Sequence, residues 1–167
     1  MSPIPQLAGY PAELQAQAEA LLKSGELGNR LLKLYPESHK IHSSKDLHDY
    51  TQELKARYMR NAAPLSKVTY DSKLRTVSQA LGLHLTAQRI HGSRMNKRRE
   101  IRIATVFKDA PAPFLRMIVV HELAHMKHAD HDANFYRLCC NMEPNYHQLE
   151  FDLRLYLCTL ESPNTEG

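Results

Sequence analysis

Met117-Ile-Val-Val-His-Glu-Leu-Ala-His-Met126 carries a His-Glu-x-x-His pattern, His121, Glu122 and His125, within an apolar flank. On a helix, residues four apart lie one turn above each other, about 6 Å along the axis. His121 and His125 therefore share a face and can grip one metal ion. Glu122, next to the first histidine, can approach the same ion from the side without binding it, placed to take a proton from water that the metal activates. The chain holds ten histidines, so an accidental His-x-x-x-His has to be weighed. The intervening glutamate, the uncharged flanks and the further histidines downstream argue against accident. Imidazole ligands suit zinc.

A catalytic zinc wants three protein ligands and one open position. His128, His131, Glu143, His147 and Glu150 are the available third ligands. His128 is on nearly the same face as His121 but about 10 Å along the axis, too far for three ligands on one straight helix to converge. His131 follows a helix end expected near Ala129-Asp130, where the chain can turn back, and is favoured. The glutamates stay open as alternatives. Partners for the outer nitrogens of the histidines are expected among Asp130, Asp132 and Asn134.

Outward from this stretch, Ala110-Pro-Ala-Pro113 reads as a stop followed by a helix start, so the central helix spans about 113 to 127 or 128. Helices are also expected at 132–142 and 144–160. Upstream, His84 to Ile90 and Glu100 to Phe107 alternate as strands, joined by a polar, basic hairpin loop from Gly92 to Arg99. Lys67 to Tyr70 is a further short strand, and Ser72 to Leu83 a helix capped by Ser72 and ended by Gly82. Residues 10–34 are rich in helix formers, with breaks at Gly25 and Gly28. Ser43 or Ser44 caps a helix over 46–60, and Pro64 marks a boundary. Helices, then strands, then helices argue α+β.

The 167 residues suffice for one core with a small addition. The composition, 43% hydrophobic and 24% charged, is that of a globular protein. No apolar run approaches the ~20 residues that span a bilayer, and the N-terminus lacks a signal-peptide pattern. Three cysteines, Cys139, Cys140 and Cys158, make a poor disulfide framework. A reducing cytoplasm is expected.

The run His121 to Tyr136, with Asn61-Ala-Ala-Pro-Leu-Ser-Lys-Val-Thr-Tyr-Asp71, Glu100 to Phe107 and Met142-Glu-Pro-Asn-Tyr-His-Gln-Leu-Glu-Phe-Asp152, resembles the YgjP-like metal-dependent hydrolases, relatives of the WLM and SprT-like zinc metallopeptidases. The resemblance implies a zincin-like core, a small antiparallel or mixed sheet packed on the metal helix, over residues 63–161. An N-terminal helical subdomain (1–62) would precede it and a flexible tail (162–167) follow. It implies one catalytic zinc held by His121, His125 and His131, with Glu122 as the catalytic carboxylate and a peptide or protein substrate. The family often has Arg-Trp-Gly-Ser-Cys where this chain has Arg89-Ile-His-Gly-Ser93, so no role for that tryptophan and cysteine carries over.

Two further features bear on substrate. Tyr136 is a candidate donor to a transition-state oxyanion. Arg89, Arg94, Lys97, Arg98, Arg99 and Arg102 form the densest basic patch in the chain; Arg98, Arg99 and Arg102 are its candidate substrate-binding residues, for a nucleotide or a nucleic-acid backbone. A UTP pyrophosphatase activity has been assigned within YgjP-like proteins, which makes a nucleoside triphosphate the second substrate class. A DNA-associated protease or a non-enzymatic zinc adaptor is the third reading; Glu122 argues against an adaptor.

Overall fold

The computed structural model describes residues 7–81 and 100–161. The expected strand at 84–90, the loop at 92–99 with Arg98 and Arg99, the stop at Gly82 and the tail at 162–167 lie outside them. The described elements are α1 (Ala12–Ser24), α2 (Leu27–Leu34), α3 (Ser44–Tyr58), β1 (Lys67–Asp71), α4 (Val77–Leu81), β2 (Glu100–Ala104), a 3-10 turn (Thr105–Lys108), α5 (Ala112–Ala124), α6 (Ala133–Met142) and α7 (Tyr146–Glu161). The fold is α+β, mostly helical, with a small two-stranded sheet.

That sheet refines the expectation of an antiparallel or mixed arrangement. Among the described residues β1 and β2 pair in parallel, Lys67 opposite Glu100 through Asp71 opposite Ala104. A parallel pair needs a long crossover rather than a tight turn, and α4 lies in the connection. Along β2 the alternation survives: Ile101 and Ile103 are buried, and Arg102 between them is exposed. The strand ends at Ala104, before Phe107. The residues after it tighten into a 3-10 turn that seats Phe107, fully buried, beneath the start of α5.

Pro111 precedes α5 and Pro113 sits in its first turn, where a missing N–H costs nothing. From Met117 to Ala124 every residue of α5 is buried. A helix apolar on all sides is a core helix, and α5 packs against α3, α6, α7 and β2. Arg116, partly buried, turns to the end of α6: its Nε donates to Glu143 Oε1 at 3.0 Å and Nη2 to the Met142 carbonyl at 2.7 Å.

The N-terminal helices meet this core in two ways. Leu47, Leu54 and Met59, in and just after α3, share one apolar cluster with α5. Leu27 and Leu31 of α2 and Ala18 of α1 form a second cluster with Leu155 and Cys158 of α7. Tyr35 touches both clusters. Its hydroxyl donates to the buried Asp152 carboxylate, which also accepts from Gln148 at 3.2 Å, and its ring lies 4.9 Å from Phe114.

Local punctuation meets expectation at two places and departs from it at two. Ser43, as expected, caps α3 by accepting the Asp46 N–H at 3.0 Å. The helix expected from Ser72 starts instead at Val77, because the Asp71 side chain first turns the backbone by accepting the Lys73 N–H at 2.9 Å. Thr76 is the cap, accepting the Gln79 N–H at 3.0 Å. Gly25 does end α1, in the left-handed conformation with φ 78°, but Gly28 lies inside α2.

The two glycines should respond oppositely to alanine. Gly25→Ala should destabilise by about 1–2 kcal/mol, since a Cβ is strained at that φ. At Gly28 a Cβ would meet only Thr159 Cβ at 4.0 Å, so Gly28→Ala should stabilise by about 0.4–1 kcal/mol. Urea denaturation of both variants checks the signs.

Candidate metal centre

The metal-binding pattern sits at the end of α5, where the helix stops. Ala124 is its last residue, and His125 is the cap with φ −68° and ψ −14°. The turn beyond tightens: Met126 N–H bonds the Leu123 carbonyl at 3.0 Å and Lys127 N–H the Ala124 carbonyl at 3.1 Å. The helix therefore ends about three residues earlier than expected. The early stop turns the His128 carbonyl back toward the helix, 3.0 Å from His125 Nδ1. The chain then returns through residues 129–132, and Asp132 caps α6 by accepting the Phe135 N–H at 2.9 Å. His131 is delivered from this return.

The ligand atoms of His121, His125 and His131 all lie within 4.8 Å of one another. His125 Nε2 and His131 Nε2 are 3.0 Å apart. Zinc bound tetrahedrally at 2.0–2.1 Å spaces its nitrogens by about 3.3 Å, so the donor set fits a single small ion after minor adjustment. His121 is 1% exposed, His125 3% and Glu122, between them in sequence, 3%. Among the described residues this is the one group of histidine, cysteine or carboxylate side chains able to hold a metal ion.

The other candidates for third ligand are engaged elsewhere. Glu143 holds Arg116 and accepts the Asn145 N–H at 2.9 Å. Glu150 pairs with Arg154 at 3.3 Å, and His147 stacks on Tyr136 with ring centroids 5.2 Å apart. His128 contributes its backbone carbonyl to the site.

For His121 and His125 the partners of the outer nitrogens differ from expectation. His121 Nδ1 lies 2.9 Å from the hydroxyl of Tyr146, at the start of α7, and His125 Nδ1 faces the His128 carbonyl. Asp132 instead caps α6, and Asn134 accepts from Arg137 Nη1 at 2.7 Å. Phe135 was also not anticipated. Its ring contacts all three imidazoles, with centroids 5.2, 4.6 and 4.9 Å from those of His121, His125 and His131. Placed one turn after His131 on a helix of its own, it gives the histidines an apolar floor. No sequence signal marks Tyr146, which reaches His121 only because α7 packs on α5.

Tyr136 stands beside this floor, its ring 5.1 Å from Phe135 and 6.4 Å from His131. Burial pushes its hydroxyl up to about 12, and the Glu150 carboxylate adds to the rise. Arg102, exposed on β2, is held by Glu100 at 3.3 Å and Asp71 at 3.7 Å.

A three-histidine group able to hold a metal ion, two of its members buried at the end of a core helix, is the kind of site that metal-dependent hydrolases use. The chain belongs to the YgjP-like family: the family model, described as a YgjP-like metallopeptidase domain, matches residues 6–156. It is also 51% identical over 160 residues to a UTP pyrophosphatase of Escherichia coli (strain K12), a match covering 96% of each chain. No solved structure matches the chain. Among the described residues no helix is long and apolar enough to cross a membrane.

Several groups around the centre are held neutral by burial. Cys139 is pushed up to about 12 from 9.0, Tyr136 to about 12 from 10.0, and Tyr146 well above 10.0. Each raised value means that the unfolded chain ionises first. Their contribution to stability is complete below about pH 9 and lost as the pH rises towards 12. Denaturation midpoints should be flat from about pH 8 to 9 and fall steadily above it. A midpoint unchanged to pH 11 would contradict the burial of these hydroxyls and thiol.

Proposed function

We propose that this protein is a zinc-dependent hydrolase whose substrate is a nucleoside triphosphate, UTP in the first instance, cleaved to the nucleoside monophosphate and pyrophosphate. The hydrolase reading is carried by the convergence of His121, His125 and His131 within 4.8 Å beside the buried Glu122. The substrate reading is supported by the 51% identity over nearly the full length of a relative named UTP pyrophosphatase.

The three histidines would hold the ion, which supplies Lewis acidity, polarising a phosphoryl oxygen and acidifying water. Glu122 is the general base: it takes the proton of the attacking water as the new P–O bond forms at the α-phosphorus, and pyrophosphate leaves. Phe135 keeps one side of the centre apolar, which strengthens the electrostatics acting on the reacting atoms. Arg98 and Arg99 are proposed to meet the triphosphate charge. Arg102 would contribute less, since Glu100 and Asp71 already hold it.

The second reading is a metallopeptidase, favoured by the description of the family that the chain belongs to. The same histidines and Glu122 would then act on a peptide carbonyl. An extended substrate could lie along β2, whose one pairing among the described residues is with β1.

Glu122→Gln should keep one zinc per chain by metal analysis and lose about 10²–10⁴-fold in turnover of UTP. Undiminished turnover would remove Glu122 from the mechanism. Assaying an unfolded protein in parallel separates the readings: proteolysis that vanishes in the variant, with no UTP turnover by the parent, would replace the phosphoanhydride substrate with a peptide.

A further inference from the structure

Beyond the triad the ring contacts continue outward in a row. The His131 ring lies 6.4 Å from that of Tyr136 at an interplanar angle of 33°, and Tyr136 lies 5.2 Å from His147 at 39°. Both pairs are nearer to parallel than to edge-on, and their spacings fall in the range that aromatic rings favour. Phe135 and Tyr146, both fully buried, meet the same rings edge-on: Phe135 stands at 83° to Tyr136, and Tyr146 at 78° to His147. These two back the row. Exposure grows along it, from the part-buried His131 and Tyr136 to the exposed His147.

Tyr136 and His147 stand in the first turns of α6 and α7, so rigid backbone sets their spacing. The row starts at a member of the triad, and a ligand held at the triad passes beside it. In a nucleotide one ribose separates the α-phosphorus from the base. With that phosphorus at the triad, the base lies about the breadth of a sugar beyond it, where Tyr136 and His147 follow His131. Tyrosine and histidine are among the side chains on which unstacked bases are received. Their flat faces suit a planar base rather than a phosphate, and covering an exposed ring with another removes apolar surface from water.

We propose that Tyr136 and His147 form a ledge on which the base of the nucleotide stacks while its phosphates lie at the metal centre. His147 supplies the exposed face, and Tyr136 supports it from within. Stacking reads a π-face that every base has. The ledge therefore separates a nucleotide from a bare polyphosphate, rather than uracil from the other bases. The proposal rests on the nucleotide reading of the site, and it deepens that reading by giving the nucleoside half of the substrate a place.

The test measures binding of UMP and of inorganic pyrophosphate to the zinc-loaded protein by calorimetry, beside the steady-state turnover of UTP. His147→Ala should raise the UMP Kd and the UTP KM by about 5–100-fold, with a much smaller effect on kcat and on the pyrophosphate Kd. His147→Phe keeps a ring and should retain most of the UMP affinity. Tyr136→Leu should weaken UMP binding in the same sense. His147 is exposed, so its two variants decide the matter even if Tyr136→Leu does not fold. Equal UMP affinity and equal UTP KM in the wild type and His147→Ala would overturn the ledge alone, as would equal losses in His147→Ala and His147→Phe. A wild type that neither binds UMP nor turns over UTP would overturn the nucleotide reading itself and the ledge with it.

Discussion

Two imidazoles lie on a helix that has no exposed side where they sit. Polar nitrogens moved from water into such a place cost several kcal/mol unless each finds a partner, and the architecture around α5 answers that demand. His125 is served by the chain immediately after it, because the helix breaks at Ala124 and returns the His128 carbonyl. His121, a turn deeper, is served by Tyr146 from α7. Phe135 of α6 covers the rings from a third direction. The centre therefore exists only while α5, α6 and α7 keep their mutual register, and Arg116 ties α5 to the end of α6 beside it.

What could be read from the sequence follows the same division between near and far. His121, Glu122 and His125 are legible because their spacing matches the helical period. His131 is legible because a helix end lies between it and the motif. The break at Ala124 was not, since the competing bonds of Met126 and Lys127 depend on where the return loop packs. Tyr146 lies 25 residues from its partner in sequence, and no periodicity connects two helices. The direction of β1 against β2 stays open in the sequence for a similar reason. Alternation in Glu100 to Ala104 shows which face is buried, but both strand directions give the same alternation. At Ser72 and Gly28 ordinary propensities pointed the wrong way. The Asp71 side chain claimed the turn first, and the α2 interior tolerated a glycine.

The N-terminal helices gain a role from this arrangement. Tyr35, after α2, donates to Asp152 on α7 and stacks on Phe114 of α5. Tyr146 opens the same α7 that carries Asp152. The segment before α3 thus braces the helix that supplies His121 with its hydrogen-bond partner, although it contributes no ligand. This links the second apolar cluster, of α1, α2 and α7, to the geometry of the centre through a single rigid element.

The apparatus for activating water is indifferent to what the water attacks. A metal and a carboxylate base serve a carbonyl carbon or a phosphorus alike. The two substrate classes differ in the charge that must be met. A peptide bond is neutral, whereas a triphosphate brings several negative charges and needs cations besides the ion. The chain has a net charge of +4, and its basic residues are densest between Arg89 and Arg102, just before β2 and α5 in sequence. Arg102 is already balanced by Glu100 and Asp71; the remaining cations of that stretch have no acidic residue beside them in sequence except Glu100. Such a concentration of positive charge suits a phosphoanhydride or a nucleic-acid backbone better than a neutral peptide bond. The proposed reading, with phosphorus rather than carbon as the electrophile, draws on this asymmetry in charge.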